Sequence, residues 1–165
     1  SHAALAYQFG DKTGLFTAVA AEGFRLAAEM IGPTATGPDG FVTGGQAYVR
    51  FAVTHPGHFE VMFQPYLYRA DDPGLAAARD AAFDVLYGSA RASLTAHRNA
   101  DATDDDVLGL VMAGWSMSHG FATLWLTANL PERLRGDPVV AAELVTRGAS
   151  TLGELVRNQR RTVPS

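Results

Sequence analysis

The sequence predicts an all-α fold, a single helical bundle, for three reasons. Apolar residues recur at spacings of three and four along stretches that are far longer than strands. Alternating apolar and polar runs, the pattern of a half-buried strand, are essentially absent. Pro and Gly gather between the periodic stretches, at residues 32–40, 71–74 and 131–138, where they predict loops. With 165 residues, of which 47% are hydrophobic, the chain can bury a sizeable core as one domain.

The first half of the chain contains three predicted helices. The first spans residues 11–31, where Asp11 is a suitable N-cap and Gly32 followed by Pro33 is a stop signal. The second spans residues 39–55 and ends before Pro56, because a residue that precedes proline avoids the helical conformation. A short third helix, residues 57–68, carries a dense group of aromatic and Met side chains.

The second half contains three more predicted helices. The fourth spans residues 73–97 and opens with Pro73. The fifth, residues 104–130, begins at three consecutive carboxylates, Asp104 to Asp106, which interact favourably with a helix N-terminus. The sixth, residues 138–157, begins at Pro138, a residue well suited to a first helical turn. No internal repeat and no second domain is apparent.

The composition argues against several classes of function. A formal net charge of -4 argues against nucleic-acid binding by bulk electrostatics. The absence of cysteine excludes disulfides and thiol catalysis, and no signal-peptide pattern is visible, so we expect a cytoplasmic protein. The nucleophile-elbow, zinc-protease and phosphate-loop motifs are absent, and His55 and His58 lie at a helix break with one nearby carboxylate. We therefore expect no enzyme, no metal site and no cofactor.

The fifth predicted helix has no charged side chain from Val107 to Leu130, which raises the possibility of a membrane span. We expect no membrane, because polar residues interrupt the stretch, its start is triply acidic and no basic residues flank it. A soluble helix is apolar on all sides when one face meets its own core and another meets a partner.

Small residues on the last two helices predict a homodimer. Rows of small side chains let two helix backbones approach closely, although packing within one monomer is an alternative. The predicted interface consists of Gly109, Ala113, Ser116, Gly120, Ala149, Leu152, Gly153 and Val156.

A group of aromatic and Met side chains predicts a pocket for a small apolar or aromatic ligand, although the same composition is also typical of a core. Its walls would be Phe59, Met62, Phe63, Tyr66, Phe83, Tyr87, Met112, Trp115 and His119. His119 is either a buried histidine satisfied by its neighbours or a polar anchor within the pocket, and the two readings are compatible.

Residues 1–16, which read SHAALAYQFGDKTGLF, resemble the end of the helix-turn-helix motif in TetR-family transcriptional regulators. In that family a recognition helix leads through an aromatic-rich stretch and Phe-Gly-x-Lys-x-x-Leu into a long connecting helix. Residues 45–63, together with Trp115, His119 and Gly120, resemble the subgroup whose C-terminal domain is named for its Trp-His-Gly motif.

The resemblance implies a division of the chain and a set of DNA contacts. Residues 1–10 would be the remnant of the helix-turn-helix, residues 11–32 the connecting helix and residues 33–165 the effector-binding and dimerisation domain. The chain has no initial Met, so we expect it to be N-terminally truncated, with the first two helices of the motif missing. Base or groove contacts would fall on Ser1, His2, Ala3 and Ala4, and phosphate contacts on Tyr7, Gln8 and Lys12.

The function implied is that of a ligand-responsive, DNA-binding regulator, a repressor, with operator DNA, a small effector and a second copy of the chain as partners. The family usually has an aromatic residue at Ala6 and His at Gln8, so the contact at Ala6 is expected to be lost. Without the missing helices we expect this chain alone not to bind operator DNA. The alternative is a stand-alone helical binding module or enzyme whose first residues merely resemble the DNA motif.

Overall fold

A computed structural model describes residues 11–98, 100–127 and 130–162, with side chains described up to Leu152 apart from Ser150. These residues form six α-helices, a short 3-10 turn at Glu132–Leu134 and no strand, so the all-α prediction is confirmed. The helices are α1 (Lys12–Ile31), α2 (Gly40–Thr54), α3 (Pro56–Met62), α4 (Pro73–Arg98), α5 (Asp104–Leu126) and α6 (Pro138–Thr162).

The first three helices begin and end at residues with clear local causes. Asp11 caps α1, because its Oδ1 accepts a hydrogen bond from the Gly14 backbone N–H at 2.7 Å. Helix α3 ends at Met62, six residues before its predicted end, since Pro65 cannot donate a helical hydrogen bond and disfavours helix in Gln64. The Tyr68 hydroxyl donates to the Met62 carbonyl at 2.9 Å and so satisfies one of the free acceptors at this end.

The turn between α4 and α5 is fixed by a cap and by two ion pairs. Thr103 is the N-cap of α5: its Oγ1 accepts from the Asp106 N–H at 3.2 Å and donates to Asp106 Oδ2 at 2.8 Å. Arg91 pairs with Asp104, and Arg98 pairs with Asp106 at 2.8 Å. Helix α5 ends at Leu126 rather than at residue 130.

Helix α2 lies at the centre of the molecule and packs against each of the other five helices. One core cluster joins α1, α2, α3 and α5 around Phe51, Phe59 and Met62. A second joins α1 and α4 around Leu75, and a third joins α4 and α5 around Val107 and Val111. The chain therefore has several small cores around α2 rather than one large core.

Glycine and alanine allow the helices of the first cluster to approach closely. A Cβ atom placed on Gly23 in α1 would lie 2.6 Å from the Met62 Sδ, well inside van der Waals contact. The loop before α2 contains Gly37, whose φ of 73° lies in the left-handed region that favours glycine. The close approach at Gly23 and the turn at Gly37 position α1, α2 and α3, which form part of the wall of a cavity.

Candidate functional site

An apolar cavity of about 180 Å³ is lined by residues of α1, α2, α4, α5 and α6 and by Met62 and Phe63 at the end of α3. Aromatic rings from several helices dominate its wall, and most of the other wall side chains are aliphatic or small. The rings belong to Phe24, Phe41, Tyr48, Phe63, Phe83, Trp115 and Phe121. An apolar cavity of about 150 Å³ is enough to bind benzene, so this one has room for a ligand of at least that size.

Small residues on α2 and α5 leave the space that the cavity occupies. The ring of Phe41 lies directly over Gly114, where an added Cβ would come within 2.5 Å of two ring carbons. Gly45 lies opposite Ser118, and a Cβ there would be 3.2 Å from the Ser118 Oγ. Larger side chains at these two glycines would displace the wall or fill the space.

A chain of hydrogen bonds joins Trp115, Tyr48 and His119 at one end of the cavity. The Trp115 indole N–H donates to the Tyr48 hydroxyl oxygen at 3.3 Å, and that hydroxyl lies 2.9 Å from the His119 Nδ1. Because the indole can only donate, the hydroxyl is free to give its own hydrogen to Nδ1. With Nδ1 as the acceptor, the neutral His119 ring carries its proton on Nε2.

The surroundings of this chain favour its neutral form. Burial raises the pKa of Tyr48 and lowers the pKa of His119, since an apolar environment disfavours either charge. The His119 ring meets Phe63 edge to face at a centroid distance of 4.4 Å and lies 5.1 Å from Phe59. His119 is therefore hydrogen-bonded through Nδ1 to Tyr48, a wall residue, and does not itself line the cavity.

The sequence-predicted pocket residues fall into two groups. Met62, Phe63, Phe83 and Trp115 line the cavity, and His119 adjoins it through Tyr48. The remaining residues lie elsewhere. Phe59 is buried in the core behind Phe63, Tyr66 is 80% exposed because α3 ends before it, Met112 is 55% exposed on α5, and Tyr87 donates to Asp104.

Several wall residues were not predicted as part of a pocket. Phe41 and Tyr48, seven residues apart on α2, both line the cavity. Phe24, Phe121 and Arg79 also line the cavity.

The start of α1 is tied to the loop between α3 and α4. The Arg69 guanidinium donates to both carboxylate oxygens of Asp11, at 3.0 and 2.9 Å, and the Arg69 backbone N–H donates to Thr17 Oγ1 at 3.0 Å. The Gly14 amide, together with Arg69, holds the pKa of Asp11 below its usual value. Lys12, a predicted phosphate contact, is exposed, with its Nζ 5.6 Å from the centre of the Phe16 ring. The other predicted DNA contacts, at positions 1 to 4, 7 and 8, lie outside the described residues.

An exposed apolar surface runs along α5 and α6. The predicted interface residues Gly109, Ala113, Ser116 and Leu152 are exposed, and Gly120 and Ala149 are partly exposed. Large apolar side chains are exposed beside them, among them Leu108, Met112, Val140 and Leu144. The side chains of Gly153 and Val156 lie outside the described part of α6.

Helix α5 is also long and apolar enough to cross a membrane, by length and mean hydropathy alone. Only 17% of its most apolar stretch is buried within the chain. Its first turn carries three Asp residues, and its buried residues Val107, Val111 and Ala122 pack against the other helices. The uncovered part of α5 is therefore an exposed apolar surface.

Among the described residues, no group of three or more His, Asp or Glu side chains is arranged to hold a metal ion.

Comparison with known proteins identifies a family to which the chain is similar. Residues 41–150, well over half of the chain, match the family model described as tetracyclin repressor-like, C-terminal domain. No curated protein is significantly similar to the sequence. The match covers α2 to α5 and the first half of α6, including most of the residues that line the cavity.

Proposed function

Because the chain belongs to the tetracyclin repressor-like C-terminal domain family, we propose that it is the effector-binding and dimerisation part of a ligand-responsive transcriptional repressor. It acts in the cytoplasm by binding rather than by catalysis. In this proposal residues 1–10 are the end of the DNA-binding domain, residues 11–32 are the connecting helix and residues 33–165 bind the effector. The partners of Tyr48 support assignment to the Trp-His-Gly subgroup, since Trp115 and His119 both bond to it.

One observation supports the proposal most directly: α1 lines the cavity and also directly follows the segment that resembles a recognition helix. Phe24, Ala27 and Ile31 of α1 line the cavity, while the helix begins at Lys12, directly after the segment that resembles a recognition helix. A ligand in the cavity would therefore touch the helix that carries the DNA-binding segment.

The mechanism we propose is a shift between two populations of the dimer. A ligand that fits the cavity better in one position of α1 favours that position by its difference in affinity. Moving α1 changes the separation of the two recognition helices, which must match half-sites about one turn of DNA apart. The dimer then releases its operator.

The dimer itself would form through α5 and α6. Leu108, Met112 and Leu144 would be buried against a second copy, and the small residues Gly109 and Ala113 would allow the helices to approach closely. A two-fold dimer uses the same surface on both copies, which suits a continuous apolar surface on two adjacent helices.

The proposal is tested by DNA binding of the chain extended by the coding sequence that precedes Ser1. We expect the extended protein to bind duplex from its neighbouring promoter in a fluorescence anisotropy assay and the 165-residue chain not to bind. A small aromatic compound that stabilises the protein should weaken the extended protein's binding at least tenfold, the order of a typical coupling between sites.

A variant that fills the cavity distinguishes DNA binding from the response to the compound. Gly45→Leu places a side chain beside Ser118 in the cavity wall, whereas Gly88→Leu adds the same side chain on α4, where nothing lies within 4 Å. We expect Gly45→Leu to bind DNA without responding to the compound, and Gly88→Leu to respond as the wild type does. Specific binding by the 165-residue chain, or release that persists in Gly45→Leu, would contradict the proposal.

A further inference from the structure

Among the described residues that line the cavity, one side chain is formally charged, Arg79 of α4. The other lining residues are apolar apart from neutral polar groups such as Gln46, Ser89 and Ser118. Because the formal charge in this apolar wall is positive, the cavity attracts an anionic ligand and repels a cationic one.

Arg79 lies at an opening of the cavity. Arg79, Phe83 and Leu86 follow one another along the face of α4 that lines it. The Arg79 side chain is 50% exposed and Phe83 is 39% exposed, so the wall opens to solvent on this side. Arg79 and Leu86 are seven positions apart, which corresponds to roughly 10 Å of helix, about the length of a small amphipathic molecule.

The guanidinium has hydrogen-bonding capacity to spare. Its nearest carboxylate within the described residues is that of Asp80, the next residue along the same helix, with 3.9 Å between Arg79 Nε and Asp80 Oδ1. That distance is beyond hydrogen-bond range. The planar fork of N–H donors therefore remains available for a carboxylate that enters from the cavity.

Several other polar groups of the wall already have hydrogen-bond partners within the protein. The Trp115 indole N–H is used by Tyr48, and the Tyr48 hydroxyl is used by His119. The Ser89 hydroxyl donates to the Leu86 carbonyl at 2.9 Å. The remaining polar wall residues, such as Gln46 and Ser118, are neutral, so Arg79 is the group best suited to bind an anionic end of a ligand.

We infer that the effector is an amphipathic organic anion: a compact aromatic or aliphatic body in the cavity with a carboxylate on Arg79. This rests on the proposed function of the cavity as an effector site and specifies the ligand's chemical class. A cationic ligand is disfavoured by Arg79, and a neutral ligand leaves the guanidinium donors unused.

The test compares ligands that share a body and differ in charge. 4-Phenylbutyrate and 4-phenylbutan-1-ol form one pair, and octanoate and octan-1-ol form a second. Their affinities for the 165-residue chain are measured by isothermal titration calorimetry at low ionic strength. We expect the acid of at least one pair to bind about tenfold more tightly than its alcohol, the scale of a charge-assisted hydrogen bond, and each alcohol to compete with its acid.

Arg79→Gln should remove that preference by weakening the acid about tenfold while the affinity of the alcohol stays the same. Arg50→Gln is the matched control, because Arg50 is exposed on α2 and lies outside the cavity wall. Equal affinities for acid and alcohol in the wild type, or a preference that survives Arg79→Gln, would overturn the inference and leave the cavity as a site for neutral ligands. Failure of all four compounds to bind would overturn both the inference and the proposed role of the cavity.

Discussion

Single glycines decide how close two helices come and where space remains between them. Gly114 is the clearest case, because the Phe41 ring occupies the position that a larger side chain would need. Gly88 and Gly114 both lie in the middle of a helix, yet nothing lies within 4 Å of a Cβ placed on Gly88. A larger side chain therefore has no room at Gly114 but has open space at Gly88.

Gly114→Ala should destabilise the protein by about 1 to 3 kcal/mol, the usual cost of overpacking, because the Phe41 ring must move into the cavity. Gly88→Ala should stabilise it by roughly 0.5 to 1 kcal/mol, since alanine is the better helix former. Urea denaturation measures both changes. Equal effects of the two substitutions would show that the close contact of Phe41 with Gly114 carries no cost.

Tyr48→Phe removes the hydroxyl that links Trp115 and His119. The indole N–H and the His119 Nδ1 then lose their shared partner, so we expect a loss of about 1 to 3 kcal/mol in the free energy of unfolding. Tyr66→Phe is the matched control, because the exposed Tyr66 hydroxyl bonds only to Gln64 within the described residues. A change of similar size in both variants would count against the hydrogen-bond chain.

His119 should make the fold less stable in mild acid. Burial places its pKa in the folded protein below the unfolded value of 6.5, so the unfolded chain binds a proton more readily. The contribution of His119 is therefore fully present above pH 6.5 and is lost as pH falls from 6.5 towards the folded pKa. We expect wild-type protein to lose more stability between pH 7.5 and pH 5.5 than His119→Gln does, as measured by urea denaturation. An identical loss in both proteins would contradict this.

At the scale of elements, the helix ends were the most predictable part of the fold where a local side chain caps them. Asp11 was predicted as a cap and is one. The start of α5 is a partial exception, because the sequence drew attention to the three Asp residues while the capping side chain is Thr103. The end of α3 was missed, since aromatic density outweighed the effect of Pro65.

Thr103→Ala removes the N-cap of α5 and its hydrogen bonds with Asp106. We expect a loss of about 1 kcal/mol in the free energy of unfolding, the typical value for an N-cap threonine. Thr103→Ser keeps the hydroxyl and should lose only a few tenths of that. Thermal or urea denaturation compares the two, and equal losses would show that the hydroxyl is not the cap.

At the scale of the whole molecule, one side of the chain is left uncovered. Helices α1 to α4 pack around each other, whereas α5 packs on α2 and α4, α6 packs on α2 and α5, and both expose apolar side chains elsewhere. Exposed apolar surfaces of this kind mark sites of association.

We expect the chain to form a dimer of about 35 kDa, twice the 17.5 kDa of the single chain, at micromolar concentration. Ala113→Arg should make it monomeric, because a charged side chain would be buried against the second copy. Ala81→Arg, at an exposed position of α4, should leave the dimer intact. Light scattering coupled to size-exclusion chromatography distinguishes these results, and a monomeric wild type would contradict the expected interface.

Apolar periodicity, caps and Pro or Gly breaks are local properties of the sequence, and by themselves they determined the all-α class and the approximate position of each helix. The family could also be predicted from the sequence, because its motifs are patterns of residues along the chain. The site was only partly accessible: Met62, Phe63, Phe83 and Trp115 line the cavity, whereas Tyr66 and Met112 do not.

Only the tertiary structure decided which apolar residues surround empty space and which surround each other. A cavity wall and a filled core have the same composition, and they differ only in how six helices pack across the glycines of α2 and α5. The same is true of Arg79, which looks like any surface arginine in the sequence and becomes part of the cavity only through the position of α4.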